Sequence, residues 1–314
     1  MTIASIPYLY KEVMCLMGNR FEITIANKDE HDARELVALA VAEIKRIEDL
    51  LTTFKESSET NCINAHAGIK PVQVSSEMFD LVCRSVKISR LTQGAFDITY
   101  GSIDKRLWNF DLNMKTLPPV ETAKKMVRLI NYNNILLNAE EHTIFLKEKG
   151  MRIGFGGIGK GYAADRAKAL LKNYGVENGV VNAAGDLVTW GKQPDGKAWT
   201  VGIADPDQKH RLFSAIDISD NAIATSGNYE KFVTINGRHY SHTINPKTGL
   251  PVSGIKSVSI ICPSAELADA LATPVTVMGI QAGLHLINQM KNIACIVIDD
   301  NNKLFTSDNI SIRK

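Results

Sequence analysis

The feature that most constrains this chain is a change of periodicity near Gly175. Before it, helical and strand patterns mix. The alternation Phe21, Ile23, Ile25 predicts a half-buried strand over 13–27, and Leu36, Leu39, Ala40, Ile44, Ile47 and Leu51 recur at helical spacing over 29–53. Further helices are predicted at 77–91, at 120–129 behind Pro118 and Pro119, and at 162–173, with short strands at 135–138 and 143–147. The segment KESSETNCINAHAG reads as turns. Beyond Gly175 come short β-rich runs separated by Gly, Asn, Asp and Pro, including a hairpin turned at Asn236-Gly237. A strand and a helix in VSIICPSAELADALATPVTVMG, a helix at 281–290 and a strand at 293–299 close the sequence. This order is α+β and not strict βαβ alternation. No repeat or flexible linker interrupts it, so residues 1–314 are expected to form one compact body, as a single domain or as two closely packed α+β subdomains.

Charge and apolar patterning exclude several classes. Lys and Arg total 36 against 34 for Asp and Glu, and the net charge of +2 is spread along the chain, which disfavours nucleic acid as a partner. No apolar run reaches the roughly 20 residues of a membrane span. The five cysteines (Cys15, Cys62, Cys83, Cys262, Cys295) are odd in number and lack a C-x-x-C pair, which points away from a disulfide framework or a zinc site. MTIASIPYLYKEVMC carries no early positive cluster, and Pro7, Lys11 and Glu12 break its apolar stretch; a cytoplasmic protein is expected.

Residues 154–161 read GFGGIGKG, five glycines in eight positions ahead of a helix. Backbone N–H groups bared at a helix N-terminus suit phosphate. Gly154, Gly156 and Gly159 fit G-x-G-x-x-G, but Glu177 precedes its strand where a dinucleotide fold needs an acidic residue at the end of one. Gly154, Gly159 and Lys160 fit the Walker pattern until Gly161 takes the place of its Ser or Thr. Beside the phosphate reading stands a packing one, in which the glycines let a helix lie close to a sheet and Lys160 is solvated.

Asp269 and Thr273 lie four apart and share a helix face, offering the oxygen donors that magnesium prefers, unless they are merely solvent-facing and terminal. Pro274 is expected to end or kink that helix at Thr273. His242, in the strand before the turn Pro246 to Gly249, is either a general base or phosphate contact or a satisfied strand histidine. In GAFDIT, Asp97 either takes part in chemistry or caps a turn over a buried Phe96.

Taken in order, LMGNRFEI, TTFKESSETNCIN, GAFDIT, GGIGKGYAAD, VNAAGDL, ATSGNY, SHTINPKTGLP and ADALATPVTVMG resemble the ApbE family of FAD:protein FMN transferases over nearly the whole chain. The resemblance implies a compact, T-fold-like α+β architecture of mixed or antiparallel sheets with packed helices, with FAD and magnesium held between sheet and loops. It implies flavin contacts from Met17, Phe54, Ala95, Phe96 and Asp97, a pyrophosphate contact from Lys160, and a magnesium site made of the Gly157 carbonyl, Asp269 and Thr273. His242 matches the family histidine. Two departures stand out: Gly154 replaces a usual Asp, and Ala184-Gly185 replaces a usual double glycine. Many family members are exported lipoproteins, whereas Cys15 here follows no apolar run and does not read as a lipidation site.

The reaction so implied transfers FMN from FAD to a Thr or Ser hydroxyl of an acceptor protein, with release of AMP. His242 is the first candidate for the base that takes the hydroxyl proton, and Asp97 the second. An FAD pyrophosphatase, with water in place of the hydroxyl, and a non-catalytic flavin-binding module are the alternatives.

Overall fold

The structure is a computed structural model that describes residues 8–204, 212–227 and 232–310. Positions 228–229, the last two of ATSGNY, lie outside the described residues.

The strand predicted over 13–27 is broken by a turn: residues 13–16 end β1 (Tyr8–Leu16) and the rest forms its antiparallel partner β2 (Asn19–Asn27). Met17 and Gly18 turn it with φ of 50° and 69°, the left-handed pair of a two-residue hairpin loop. Phe21, Ile23 and Ile25 are fully buried, as their alternation requires. Helix α1 (Glu30–Leu51) starts where the Asp29 carboxylate accepts the Asp32 N–H, and it buries Leu36, Ala40, Ile44, Ile47 and Leu51 along one stripe. The turn-rich segment after it holds a short helix, α2 (Glu59–Ala65), opened by Ser58 accepting the Asn61 N–H. Then follow β3 (Val72–Gln73), α3 (Ser76–Leu91), α4 (Val120–Met126), β4 (Ile135–Asn138), β5 (Thr143–Leu146) and α5 (Gly159–Asn173).

Beyond Gly175 the strands predominate, as the periodicity predicts: β6 (Gly179–Ala183), β7 (Asp186–Trp190), β8 (Trp199–Ala204), β9 (Leu212–Ile218), β10 (Ala222–Gly227), β11 (Phe232–Ile235), β12 (Arg238–Ile244), β13 (Pro251–Ser253) and β14 (Ile255–Cys262). Asn236 and Gly237 turn the β11–β12 hairpin with positive φ. The end of the chain supplies α6 (Ala265–Met278), α7 (Ile280–Asn288), β15 (Ala294–Asp299) and β16 (Leu304–Thr306). Of the two outcomes expected at Thr273, an end or a kink, the end does not occur: helix α6 continues through Pro274 to Met278. Pro274, Val275 and Thr276 are all buried, so packing of this apolar segment outweighs the hydrogen bond that proline removes.

Eight strands form one antiparallel sheet in the order β1-β2-β6-β7-β10-β14-β15-β16. Helices α1, α5 and α6 lie side by side on one face, α1 against β1 and β2, α5 against β6 and β7, α6 against β10 and β14. The core sits between these layers and draws residues from Leu16 to Val297. On the other face, Val201, Ile216 and Ile218 of the β8–β9 ribbon cover Leu187, Ile223, Ile261 and Ile296. The α+β layering thus sets the N-terminal turn of α5 and the C-terminal half of α6, with Thr273 and Val277, on the cavity bordered by the β1–β2 turn, where the candidate site lies.

Candidate functional site

A cavity of about 830 Å³ opens between the β1–β2 turn, the end of α1, the segment 95–101, the glycine loop before α5, and the residues around His242. Its size is that of a small-molecule pocket.

The glycine loop divides its duties. A Cβ on Gly161 would stand 2.1 Å from the Ala265 carbonyl oxygen and 2.9 Å from Asp269 Cβ, so this glycine lets α5 and α6 touch. That is why no Ser or Thr stands there, and the packing reading holds for this position. Gly154 and Gly156 face open space, and the N–H groups of Gly156 and Gly157 meet no acceptor among the described residues. Those two amides are available to an anion at the cavity wall. The α5 N-terminus itself already has an anion: Asp269 Oδ2 accepts the Gly161 N–H at 3.1 Å, so a carboxylate from α6 caps α5.

Lys160 is paired and not freely solvated. Its Nζ lies 2.6 Å from Asp186 Oδ2 and 3.5 Å from Asp269 Oδ2. The first contact is a close ion pair, and Asp186 Oδ2 is buried with no other partner among the described residues. Burial alone would lower the Lys160 pKa, but Asp269 and Asp186 outweigh it and hold the ammonium above its ordinary value. Burial pushes the Asp186 carboxyl up to about 7, reinforced by the Asp269 charge and opposed by Lys160. Asp269 is raised as well, again chiefly by burial.

Met17, Phe54, Ala95, Phe96, Asp97, Gly157, Lys160, His242 and Thr273 all line this one cavity. Asp269 stands just behind the wall, bonded to Gly161. Met17 occupies the β1–β2 turn, not the interior of the continuous strand expected over 13–27. Phe54 projects from the rim, 98% exposed. Phe96 backs Gly157, where a Cβ would meet its ring at 3.6 Å. Asp97 reaches the cavity, yet its carboxylate is committed: Oδ1 accepts from the Thr99 amide and hydroxyl at 2.8 and 2.6 Å, and Oδ2 from the Tyr132 amide at 3.0 Å. Burial raises its pKa against those bonds. The capped-turn reading describes it well. His242 lies on β12 with an exposed residue surface.

Sequence reasoning missed three carboxylates here. Asp186 follows a β6–β7 turn in which Ala184 and Gly185 both have positive φ, and only the motif VNAAGDL hinted at it. Asp165 accepts from the amides of Ala265 and Glu266 and from the Ser264 hydroxyl at 2.8 to 3.0 Å, fastening the start of α6 to α5. Glu48 lines the cavity and accepts the Met17 N–H at 2.9 Å.

With both ionised, two buried carboxylates sharing one ammonium carry a net negative charge, and Asp186 Oδ2 has only Lys160 as partner among the described residues, an environment that suits one more cation. Asp269 and Thr273 lie four apart on α6, and Thr273 and Gly157 both line the cavity, so carboxylate, hydroxyl and carbonyl oxygens of the kind such a cation takes are available there. No cluster of three or more His, Cys, Asp or Glu forms a metal site among the described residues, so carbonyl and hydroxyl oxygens would have to contribute. The arrangement therefore combines bare amides, an ammonium and oxygen donors in one cavity, the equipment for handling a phosphorylated ligand.

Comparison with known proteins bears on this. A family model described as the ApbE family matches residues 17–297. The FAD:protein FMN transferase of Klebsiella pneumoniae (strain 342) is 28% identical over 302 residues, which cover 96% of this chain and 92% of that protein. The one from Treponema pallidum (strain Nichols) is 30% identical over 272 residues, 81% and 74% of the two chains. The crystal structure of the ApbE protein from Thermotoga maritima superposes with a TM-score of 0.85 at 27% identity, covering 96% of this chain and 97% of its own. The flavin transferase ApbE of Vibrio cholerae gives 0.83 at 26% identity, with 96% and 98% covered.

Proposed function

Because the chain belongs to the ApbE family, we propose that it transfers FMN from FAD to a Thr or Ser hydroxyl of an acceptor protein and releases AMP. The observation that carries the reading is the meeting of Lys160, the Gly156 and Gly157 amides, Thr273 and His242 on the wall of one cavity. In this proposal the whole chain acts as a single ApbE-type domain in a cytoplasmic setting. A main core drawing residues from Leu16 to Val297 supports the first point, and five free cysteines support the second. None of the described helices is long and apolar enough to cross a membrane.

FAD would lie with its pyrophosphate toward Lys160 and the two amides, which neutralise charge as the AMP phosphate departs. The acceptor hydroxyl attacks the phosphorus of the FMN half, the bond to the AMP phosphate breaks, and the hydroxyl proton passes to His242. Asp97, bound to Thr99 and Tyr132, shapes the wall and is the weaker candidate for the base. Met17, Phe54, Ala95 and Phe96 supply apolar surface for the rings. The Gly157 carbonyl, Asp269 and Thr273 would hold magnesium, which when bound supplies Lewis-acid neutralisation of the pyrophosphate.

Incubation with FAD, magnesium and candidate acceptors, followed by mass spectrometry, tests this. An acceptor that gains one FMN on Thr or Ser, with stoichiometric AMP, is the expected result. Free FMN and AMP with no modified acceptor would identify a pyrophosphatase, and intact FAD a binding module.

A further inference from the structure

Glu48 sits in the last turn of α1, where the helix end is already negative and no basic residue offsets it. A carboxylate is unfavourable there without a donor to meet it. One oxygen has a donor: Oε2 accepts the N–H of Met17, the left-handed residue of the β1–β2 turn. The other, Oε1, takes no hydrogen bond or ion pair from any described residue, and Glu48 lines the cavity beside Met17, Thr52, Thr53 and Phe54. This stretch of wall is negative, whereas that formed by the Gly156 and Gly157 amides and Lys160 attracts anions. The two stretches cannot both favour a phosphate. The negative one suits a neutral group that presents N–H.

We propose that Glu48 Oε1 accepts an N–H, ring or exocyclic, from one of the two heterocycles of the bound dinucleotide and thereby sets which dinucleotides the cavity takes. The inference rests on the reading of the cavity as an FAD site. FAD carries two such donors, the imide N–H of the isoalloxazine and the amino group of the adenine, and both present the same chemistry to the carboxylate. Glu48 is thus a specificity-determining residue, and the bond it makes is charge-assisted.

The test measures dissociation constants by flavin fluorescence in magnesium-free buffer for FAD, its N3-methylated isoalloxazine analogue, and the analogue with unsubstituted purine in place of adenine. The proteins are the wild type, Glu48→Gln and Glu48→Ala. The wild type is expected to bind one of the two analogues about tenfold or more weakly than FAD. Both variants are expected to lose that preference. Glu48→Gln keeps the shape and can still accept the Met17 N–H, so its loss of preference separates the proposed bond from simple fit and from a disturbed turn. Equal binding of all three ligands by the wild type, or a wild-type preference retained in Glu48→Gln, overturns the proposal while leaving the FAD reading intact. Failure of the wild type to bind FAD at all would remove that reading, and this proposal with it.

Discussion

Lys160 Nζ lies 2.6 Å from Asp186 Oδ2 and 3.5 Å from Asp269 Oδ2, so one ammonium ties the start of strand β7 to helix α6 from its place on α5. The three groups are mostly or wholly buried, and their charges are exchanged with one another instead of with water. Removing the shared cation would strand two carboxylates in a low-dielectric site.

Lys160→Met is therefore expected to lower stability by about 3 to 5 kcal/mol, as for other broken buried pairs. Urea unfolding at neutral pH measures it. A loss under about 1 kcal/mol would mean that water already reaches the carboxylates.

The raised Asp186 pKa fixes the sign of a pH effect. In the unfolded chain this carboxyl titrates near 4, so between about pH 4 and about pH 7 the folded state keeps a proton that the unfolded state has lost. Stability contributed by Asp186 accordingly falls as pH rises through that window. Asp186→Asn should remove this component, seen as a wild-type minus variant difference in unfolding free energy that slopes with pH in metal-free buffer. A flat difference would refute the shift.

At Gly161 the space is already filled by the Ala265 carbonyl, at 2.1 Å from where a Cβ would go. Gly161→Ala should cost about 1 to 3 kcal/mol or more by forcing α5 from α6. Gly156→Ala, which points into open space, should change thermal stability by no more than about 0.5 kcal/mol. Similar melting curves for the two variants would contradict the division of duties within the loop.

If His242 takes the acceptor proton, His242→Ala should slow transfer by about two to four orders of magnitude with FAD affinity nearly unchanged. Single-turnover rates and a binding titration separate the two quantities. Parallel losses of rate and affinity would make His242 a ligand contact instead.

The long periodic elements were legible in the sequence: helix α1 lies within two residues of its expected bounds at both ends, and the strand-rich half begins where the pattern changes. What escaped was decided by contacts distant in sequence. Nothing local distinguishes Met17-Gly18 as a hairpin turn until β1 is seen pairing with β2. Helix α5 begins at Gly159, earlier than expected, because Gly159 and Gly161 are needed for close packing and so act as helix residues here, not breakers. The cavity collected most residues that the motifs singled out, since each motif marks a loop or helix end facing it. Asp186, Asp165 and Glu48 look like ordinary solvated carboxylates in the sequence, and only their partners on other elements reveal otherwise.

The turn that carries Phe54 has a consequence for how the cavity can adapt. Ser58 donates its hydroxyl to the Thr52 carbonyl, and Asn61 donates from Nδ2 to the carbonyls of Thr53 and Lys55, so the backbone under the ring is tied from both sides. The opposite wall is equally fixed, because Asp165 and Gly161 lock α6 against α5. Between these two tied segments, Phe54 is an exposed aromatic side chain free to swing about its own torsions. Such a swing takes picoseconds to nanoseconds, far faster than a lid lifting off.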